Sequence, residues 1–469
     1  MADPVTSQHV IDLPAGPLRY QAQAGTLPVQ RDDGSPLADV FYLAYRAGQR
    51  SPARPVTFAF NGGPGSASLW LNIGGFGPKR APTLTPRATP PAPYESGDNP
   101  HTLLGVTDLV FIDAPGTGFS RLAQDTRPDE VWGVDQDVDV FARFIMGYLT
   151  ATGSWLAPRY LFGESYGTSR AAALVHRLQN LGLDFNGVIM LSALLNWATV
   201  QPGIDQGYIN LLPSYAAAAW YHGRARSAGQ PLAEFLDAAK EFAQGDYAHA
   251  LQLGDRLPAG TEQAVADRLA GYTGLDAAVL RRKRLRVEME DFRRELLGAD
   301  GKQIGRFDSR FTGFMIGSPD PAADDAATAG VNSAHLSSFH HHLAADLGYH
   351  SDLHYRPLYN MTIETAWDWR HKAPGIEEPL QVPNVSLDLA AAMRRNQALR
   401  VYLMGGVYDL ATPFCGAEFD ISHLYLGDRL RGNIRFSWYE SGHMTFADEK
   451  VIALMASDLA GFYADVEDR

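Results

Sequence analysis

A serine stands between two glycines in Gly163-Glu164-Ser165-Tyr166-Gly167, after the apolar run 159–162 and before the helix-like segment 168–181. A strand that feeds a sharp turn and then a helix lifts such a hydroxyl to the crest of a strained elbow above a sheet. The glycines two positions either side of the serine let strand and helix pass closely without a Cβ clash. The hydroxyl attacks a carbonyl only when a base takes its proton and an acid holds that base in the right tautomer. In sheets with this elbow the chain order is serine, then aspartate or glutamate, then histidine. Asp409 follows the strand-like run 399–404 and His443 follows the run 434–439. Both thus fall just past the carboxyl ends of late strands, where open α/β sheets gather their ligands. Taken singly, each has an ordinary explanation: a turn serine, one of 53 acidic residues, one of 14 histidines. Their conjunction carries the reading of a Ser165, Asp409, His443 triad for acyl transfer.

Acyl transfer also needs donors for a developing oxyanion. The amide of Tyr166, next to the nucleophile, is one. The second is expected from the loop after the strand-like run 56–60, which reads Asn61-Gly62-Gly63-Pro64-Gly65-Ser66. Three glycines around a proline make a rigid turn that brings bare backbone close to a ligand. The form also suits a phosphate loop, but G-x-x-x-x-G-K-[ST] is absent, so an oxyanion loop is the better account.

The elements that would hold these residues alternate. Segments 18–22, 40–45 and 56–60 read as strands, with a turn signal at 32–35. The proline-rich stretch 82–100 reads as irregular surface chain. Residues 108–113 form a short continuous apolar run, as expected of a buried parallel strand. Segment 131–151 has helical spacing and 188–192 is strand-like. This alternation predicts an α/β fold with a mostly parallel central sheet flanked by helices. From about 200 to 350 the signals are helical, at 216–219, 232–242, 262–269 and 277–297. The expected organisation is therefore a core of residues 1–200 and 351–469, split by a helical cap insertion at 201–350, with a helix from about 449 closing the chain.

Bulk properties narrow the function classes. The 469 residues are 45% hydrophobic and 20% charged, as in ordinary globular proteins. Forty basic residues against 53 acidic ones give a net charge of -13, which disfavours nucleic acid or an anionic membrane surface as a partner. The basic run 280–286 is interleaved downstream with Glu288, Glu290, Asp291 and Glu295, and so reads as a salt-laced solvent face. The single cysteine, Cys415, excludes an intramolecular disulfide and a cysteine-based zinc site. The N-terminal residues carry neither a basic nor an apolar leader region, so the expected setting is cytoplasmic or that of a chain whose leader has been removed. No apolar run approaches the ~20 residues that span a bilayer.

Together these motifs resemble the serine carboxypeptidase family of α/β-hydrolases, in a bacterial type without disulfides. The residues that carry the resemblance are Asn61-Gly-Gly-Pro-Gly-Ser66, Asp113-Ala-Pro-Gly-Thr-Gly-Phe-Ser120, Gly163–Gly167, Asp409 and Gly442-His443-Met444. The match covers roughly 55–200 and 395–450 and is weak across the insertion. It implies an enzyme that releases single residues from peptides with a free C-terminus through an acyl-enzyme, with no metal or cofactor. Carried over, Ser165 is nucleophile, His443 general base and then acid, and Asp409 orienter. Gly63 and Tyr166 supply the oxyanion-hole amides, and Asn61 and Glu164 bind the substrate carboxylate. A carboxylic acid donates a hydrogen bond to a carboxylate only while protonated, so that recognition weakens as pH rises. The family usually has a second glutamate where this chain has Gly75, and many secreted members have a half-cystine where it has Ser66. The incomplete glutamate pair keeps an acyltransferase or esterase with weakened carboxylate recognition as an alternative. A catalytically dead binding module is the third reading, disfavoured by the complete triad.

Other residues are weighed against plainer roles. His340, His341 and His342, with His335, His350 and His354, are read as a surface cluster, because consecutive histidines diverge and no H-E-x-x-H spacing accompanies them. Glu364, Trp367 and Trp369 either line a cleft or pack cap on core. Cys415 is read as a buried thiol near Asp409. Side-chain preference and oligomeric state, homodimer included, stay open.

Overall fold

The computed structural model describes residues 4–48, 53–315 and 325–467. Its centre is a ten-stranded sheet, counting the two-residue strand Arg121–Leu122 that pairs on one edge. In chain order the longer strands are β1 (Val5–Leu13), β2 (Gly16–Gln30), β3 (Pro36–Ala47), β4 (Val56–Phe60) and β5 (Asp108–Ile112), then β6 (Arg159–Glu164), β7 (Gly187–Leu191), β8 (Arg400–Gly406) and β9 (Ile434–Tyr439). Across the sheet the order is β1-β2-β3-β5-β4-β6-β7-β8-β9. The first three strands and the β3/β5 seam are antiparallel. From β5 to β9 every pairing is parallel.

The sequence pattern accounts for this division. Every residue of β4 and β7 is buried, as continuous apolar runs require when helices cover both faces of a parallel sheet. β1 alternates along most of its length between half-buried and exposed positions, the signature of an antiparallel edge with one wet face. Sequence patterning had not singled out β1, whose Thr6, Gln8 and His9 dilute the apolar signal. The proline-rich stretch is largely irregular, with one two-residue strand, Gly97–Asp98. The parallel sheet flanked by helices is the architecture expected.

One face packs under helices α1 (Val134–Thr152) and α2 (Tyr166–Asn180), with Phe141, Leu174, Val188 and Leu403 in a common core. The opposite face holds Phe111, Phe162, Ile189 and Tyr402 against Phe339, Ile452 and Phe462. Between β7 and β8 lie helices α3 (Gln206–Tyr221), α4 (Leu232–Phe242), α5 (Ala259–Thr273) and α6 (Ala326–His341). Leu212, Phe242, Leu269 and Phe292 make a further apolar cluster among them, which reaches Leu410 beside β8. The helical reading of 277–297 is corrected: helix ends at Arg282 and resumes at Met289. Between them Arg284 and Leu285 adopt positive φ. The basic run there is laced with ion pairs, Arg281 to Glu262, Lys283 to Asp291 and Glu295, and Arg286 to Asp205.

α1 and α2 are tied by a buried ion pair. Arg170 donates to both oxygens of Asp137 at 2.5 and 3.2 Å, and to the carbonyl of Asn61 at 2.7 Å. Its guanidinium also lies 4.3 Å from the centroid of the Phe141 ring. Removing one partner of such a pair strands the other charge in the core. Arg170→Met is therefore expected to lower unfolding free energy by about 3–5 kcal/mol in urea titration, and Arg170→Met with Asp137→Leu to regain part of it. A single variant within 1 kcal/mol of the parent would contradict this account.

Candidate active site

β6 ends at Glu164, and α2 begins at Tyr166, so Ser165 alone makes the turn. Its φ of 59° and ψ of -130° are a strained conformation for a residue with a Cβ. The strain is held by bonds on both sides. The Ser165 amide donates to the Leu191 carbonyl at 2.9 Å, and its carbonyl accepts from the amide and hydroxyl of Thr168 at 2.8 and 2.7 Å. The crossing is as tight as the glycines suggest. A Cβ on Gly163 would lie 2.1 Å from the Gly167 carbonyl oxygen, and one on Gly62 would lie 2.4 Å from the Tyr166 nitrogen. The Gly62-Gly63 backbone is thereby brought against the first turn of α2, where amides are unsatisfied and the helix dipole is positive.

Asp409 lies in the loop after β8, fully buried, and its carboxylate is saturated with donors. The amides of Ala411 and Thr412 reach Oδ1 at 2.8 and 3.1 Å, and the Thr412 hydroxyl reaches Oδ2 at 2.7 Å. His443 Nδ1 stands 2.6 Å from the same Oδ2 and 3.1 Å from the Thr412 hydroxyl. That contact directs the other ring nitrogen away from Asp409. The loop that carries the histidine is anchored by its own backbone: the His443 amide donates to Phe307 at 2.6 Å, and its carbonyl accepts from Ser192 Oγ at 2.8 Å. Burial alone would lower the His443 pKa, but the Asp409 carboxylate and the charge of Glu164 outweigh it and leave the imidazole raised above its usual value. Thr412 had no sequence signal beyond its place three residues past the aspartate.

Asn61 and Glu164 meet directly, the Asn61 amide donating to Glu164 Oε2. Asn61 Oδ1 in turn accepts from the Leu71 amide at 3.1 Å, which fixes the orientation of the carboxamide. Both residues are buried. Desolvation pushes the Glu164 carboxyl up to about 7, with His443 opposing and Asp409 adding to the shift. Asn61, Gly63, Glu164, Ser165, Tyr166 and His443 all line one cavity of about 890 Å³.

Gly75 shows why no second carboxylate stands here. A Cβ at Gly75 would approach the Phe446 ring to 3.3 Å, so the aromatic side chain has taken the space that a longer residue would need. The motif 113–120 proves to be scaffold: Asp113 accepts from the Ser68 amide at 2.8 Å, and Ser120 Oγ bridges the Asp113 carbonyl and the Phe41 amide. Of the residues left open, Glu364 lines the cavity. Trp367 and Trp369 instead pack edge-on against the Tyr166 ring, with centroids 5.4 and 6.1 Å away. Cys415 is buried, and burial raises its thiol pKa.

The histidine cluster is corrected. His340 and His341 are exposed, but His335 and His342 face inward from α6 and its continuation and are buried. His342 is held by Tyr45 at 3.0 Å and Asp346 at 2.7 Å. His335 has no hydrogen-bond partner among the described residues, and burial with nearby Arg80 pushes its pKa down to about 3. Among the described residues no group of three histidine, cysteine or acidic side chains is arranged to hold a metal ion.

Residues 14–197 match the sequence model of the family described as serine carboxypeptidase. Over that stretch the chain is serine-carboxypeptidase-like. The match takes in the Asn61 loop, the 113–120 motif and the Ser165 elbow, and ends before Asp409 and His443. No curated protein sequence matches the chain. Among solved structures it is similar to the prohormone-processing carboxypeptidase Kex1 from Saccharomyces cerevisiae, at 17% identity and a TM-score of 0.57, covering 95% of this chain and 91% of that one. A proline iminopeptidase from Mycobacterium smegmatis aligns at 14% identity over 94% of this chain and 99% of that one, with a TM-score of 0.41. The chain has the α/β-hydrolase fold, and fold and family match together support a serine hydrolase.

The elbow contact makes a sharp steric prediction. Gly163→Ala forces a Cβ into the Gly167 carbonyl, which cannot swing aside as a side chain would. The expected cost is at or above the upper end of the about 1–3 kcal/mol typical of overpacking. A melting temperature within 2 °C of the parent would show that the crossing is looser than described.

Proposed function

We propose that the protein is a serine carboxypeptidase that releases C-terminal residues from peptides through an acyl-enzyme. The observation that carries this reading is the buried Asn61–Glu164 pair beside Ser165 in the cavity that His443 also lines. A carboxamide and a protonated carboxyl, side by side, are two donors suited to one carboxylate. Burial, with Asp409 adding and His443 opposing, raises Glu164 to about 7. A neutral acid is thus available at mildly acidic pH without a second glutamate to share its proton.

In this reading Ser165 Oγ attacks the carbonyl of the last peptide bond while His443 takes the hydroxyl proton. The charge on the former carbonyl oxygen is received by the amides of Gly63 and Tyr166. Asp409 holds the imidazole and stabilises its cation. Collapse of the tetrahedral intermediate breaks the C–N bond, and His443 delivers its proton to the departing amine. Water, deprotonated by His443, then attacks the acyl-serine and regenerates the hydroxyl. Residues 1–200 and 351–469 would supply this chemistry, and the helical insertion 201–350 would cap the cavity. Tyr208 and Leu211 of α3, and Thr328 and Ala329 of α6, which lie in its wall, support that division.

An esterase or acyltransferase is the second reading, favoured by Gly75 and the Phe446 ring that crowds it. One substrate panel separates the two: a blocked dipeptide with a free C-terminus, its C-terminal amide, and a simple ester, from pH 4 to 8. Free-acid cleavage far above amide cleavage is expected; turnover of the ester alone would sink the exopeptidase. Ser165→Ala should lower kcat on every substrate by at least 10³, since removal of a triad serine costs on the order of 10⁶ in a well-studied protease. A loss under tenfold would remove Ser165 from the nucleophile's role.

Glu164 donates to a substrate carboxylate only while protonated, below its raised pKa. The ratio of free-acid to ester kcat/KM should therefore fall as pH rises through about 7. Glu164→Gln, which donates at every pH, should flatten that fall. An unchanged profile would exclude Glu164 from carboxylate recognition.

A further inference from the structure

The cavity holds a cation that the proposed chemistry does not use. Arg306 lies in its wall, in the loop after the short strand Lys302–Ile304. Its backbone is pinned on both sides: the amide donates to the Asp325 carboxylate, and the carbonyl accepts from the Leu410 amide at 3.0 Å, one residue past Asp409. The guanidinium lies 5.3 Å from the centroid of the neighbouring Phe307 ring, which itself packs 5.0 Å from the His443 ring. Yet Nε is buried without a hydrogen-bond partner, and Arg306 forms no ion pair among the described residues. Its neighbours Arg293 and Arg310 each pair with two carboxylates, Glu290 and Asp325 for the first, Asp308 and Asp448 for the second. Glu364 on the cavity wall feels the charge of Arg306 but makes no salt bridge with it.

A buried, unpaired guanidinium nitrogen in a cavity is costly unless a ligand completes it. The natural complement is a carboxylate, which the planar fork of arginine grips with paired hydrogen bonds. That carboxylate is not the one the Asn61–Glu164 pair would take. The Asn61–Glu164 pair sits on the loop after β4 and the end of β6, whereas Arg306 comes from the insertion and adjoins the Phe307 ring that packs on His443. Both points face the one cavity that His443 also lines.

We propose that Arg306 is a specificity residue that binds a second carboxylate of the substrate, the side chain of an aspartate or glutamate flanking the scissile bond. This rests on the exopeptidase reading for the peptide bond but not for the recognition itself. The preference is for acidic over isosteric neutral residues, by about 10- to 100-fold in kcat/KM, the range a hydrogen-bonded charge contributes.

The test uses N-blocked dipeptides with glutamate, glutamine or lysine at the last or the penultimate position, and nitrophenyl esters of N-blocked glutamate, glutamine and lysine. Wild-type protein is expected to prefer glutamate at least tenfold at one of the two positions. In Arg306→Gln the ratio should fall to about 1, in Arg306→Lys it should be partly kept, and in Arg306→Glu it should turn toward lysine substrates. Calorimetry of the same dipeptides on Ser165→Ala protein reads recognition without turnover. Ester turnover with no peptide cleavage would defeat the exopeptidase reading while leaving the glutamate-to-glutamine comparison readable in esters and in binding. No discrimination in any of the three assays, or a preference that survives Arg306→Gln in a variant with parental melting behaviour, would overturn the role of Arg306.

Discussion

The guanidinium of Arg170 is the joint on which the site is assembled. It is completely buried, as is its partner Asp137, and it spans three parts of the chain: α1 through Asp137, α2 through its own backbone, and the loop after β4 through the Asn61 carbonyl. Two charges taken out of water are tolerated only when every donor and acceptor around them is satisfied. The loop that carries Asn61 and Gly63 therefore cannot drift from the helix that begins at Tyr166 without exposing an uncompensated charge in the core. Close approach of Gly62 to the Tyr166 nitrogen works in the same sense. Attraction and sterics together set one distance, that between the elbow and the loop, and the cavity inherits its geometry from it.

Much of this was legible in the chain. Apolar runs without alternation marked the buried parallel strands, and G-x-S-x-G between strand and helix marked the elbow, because each pattern has a local steric cause. Asp409 and His443 were findable from their order and their places after strand-like runs. What the patterns could not reach was pairing between distant segments. Nothing local distinguishes Arg170 from the other arginines of the chain, or Asp137 from Asp135 and Asp139, since burial is decided by the partner helix. Thr412 and Arg306 were missed for the same reason. The inward turn of His335 and His342 was misjudged because a run of histidines shows divergence, not which member meets the core.

At Gly75 a departure from the pattern the chain resembles coincides with apolar packing against Phe446. The absence of a side chain at 75 looked like a lost function when read alone. In three dimensions the Phe446 ring lies against that backbone, edge to Phe76 at a centroid separation of 6.4 Å. Where the resembled pattern has a carboxylate, this backbone meets an aromatic ring. Glu164 is nonetheless kept high, with desolvation as the largest influence on it. A group kept neutral by sharing a proton with a like charge and one kept neutral by burial present the same donor; the second needs no partner.

The same bookkeeping governs His443. Burial disfavours its cation, Asp409 and Glu164 favour it, and Arg306 opposes them. An imidazole so balanced responds to whatever charge enters the cavity. An anion seated on Arg306 would offset the charge that opposes the imidazolium, and so favour the cation that forms when His443 takes up the Ser165 proton as proposed. A cation placed there would do the reverse. In the proposed reading, recognition at Arg306 and basicity at His443 are therefore coupled: the acidic group that Arg306 would select also offsets the charge that lowers the imidazole pKa.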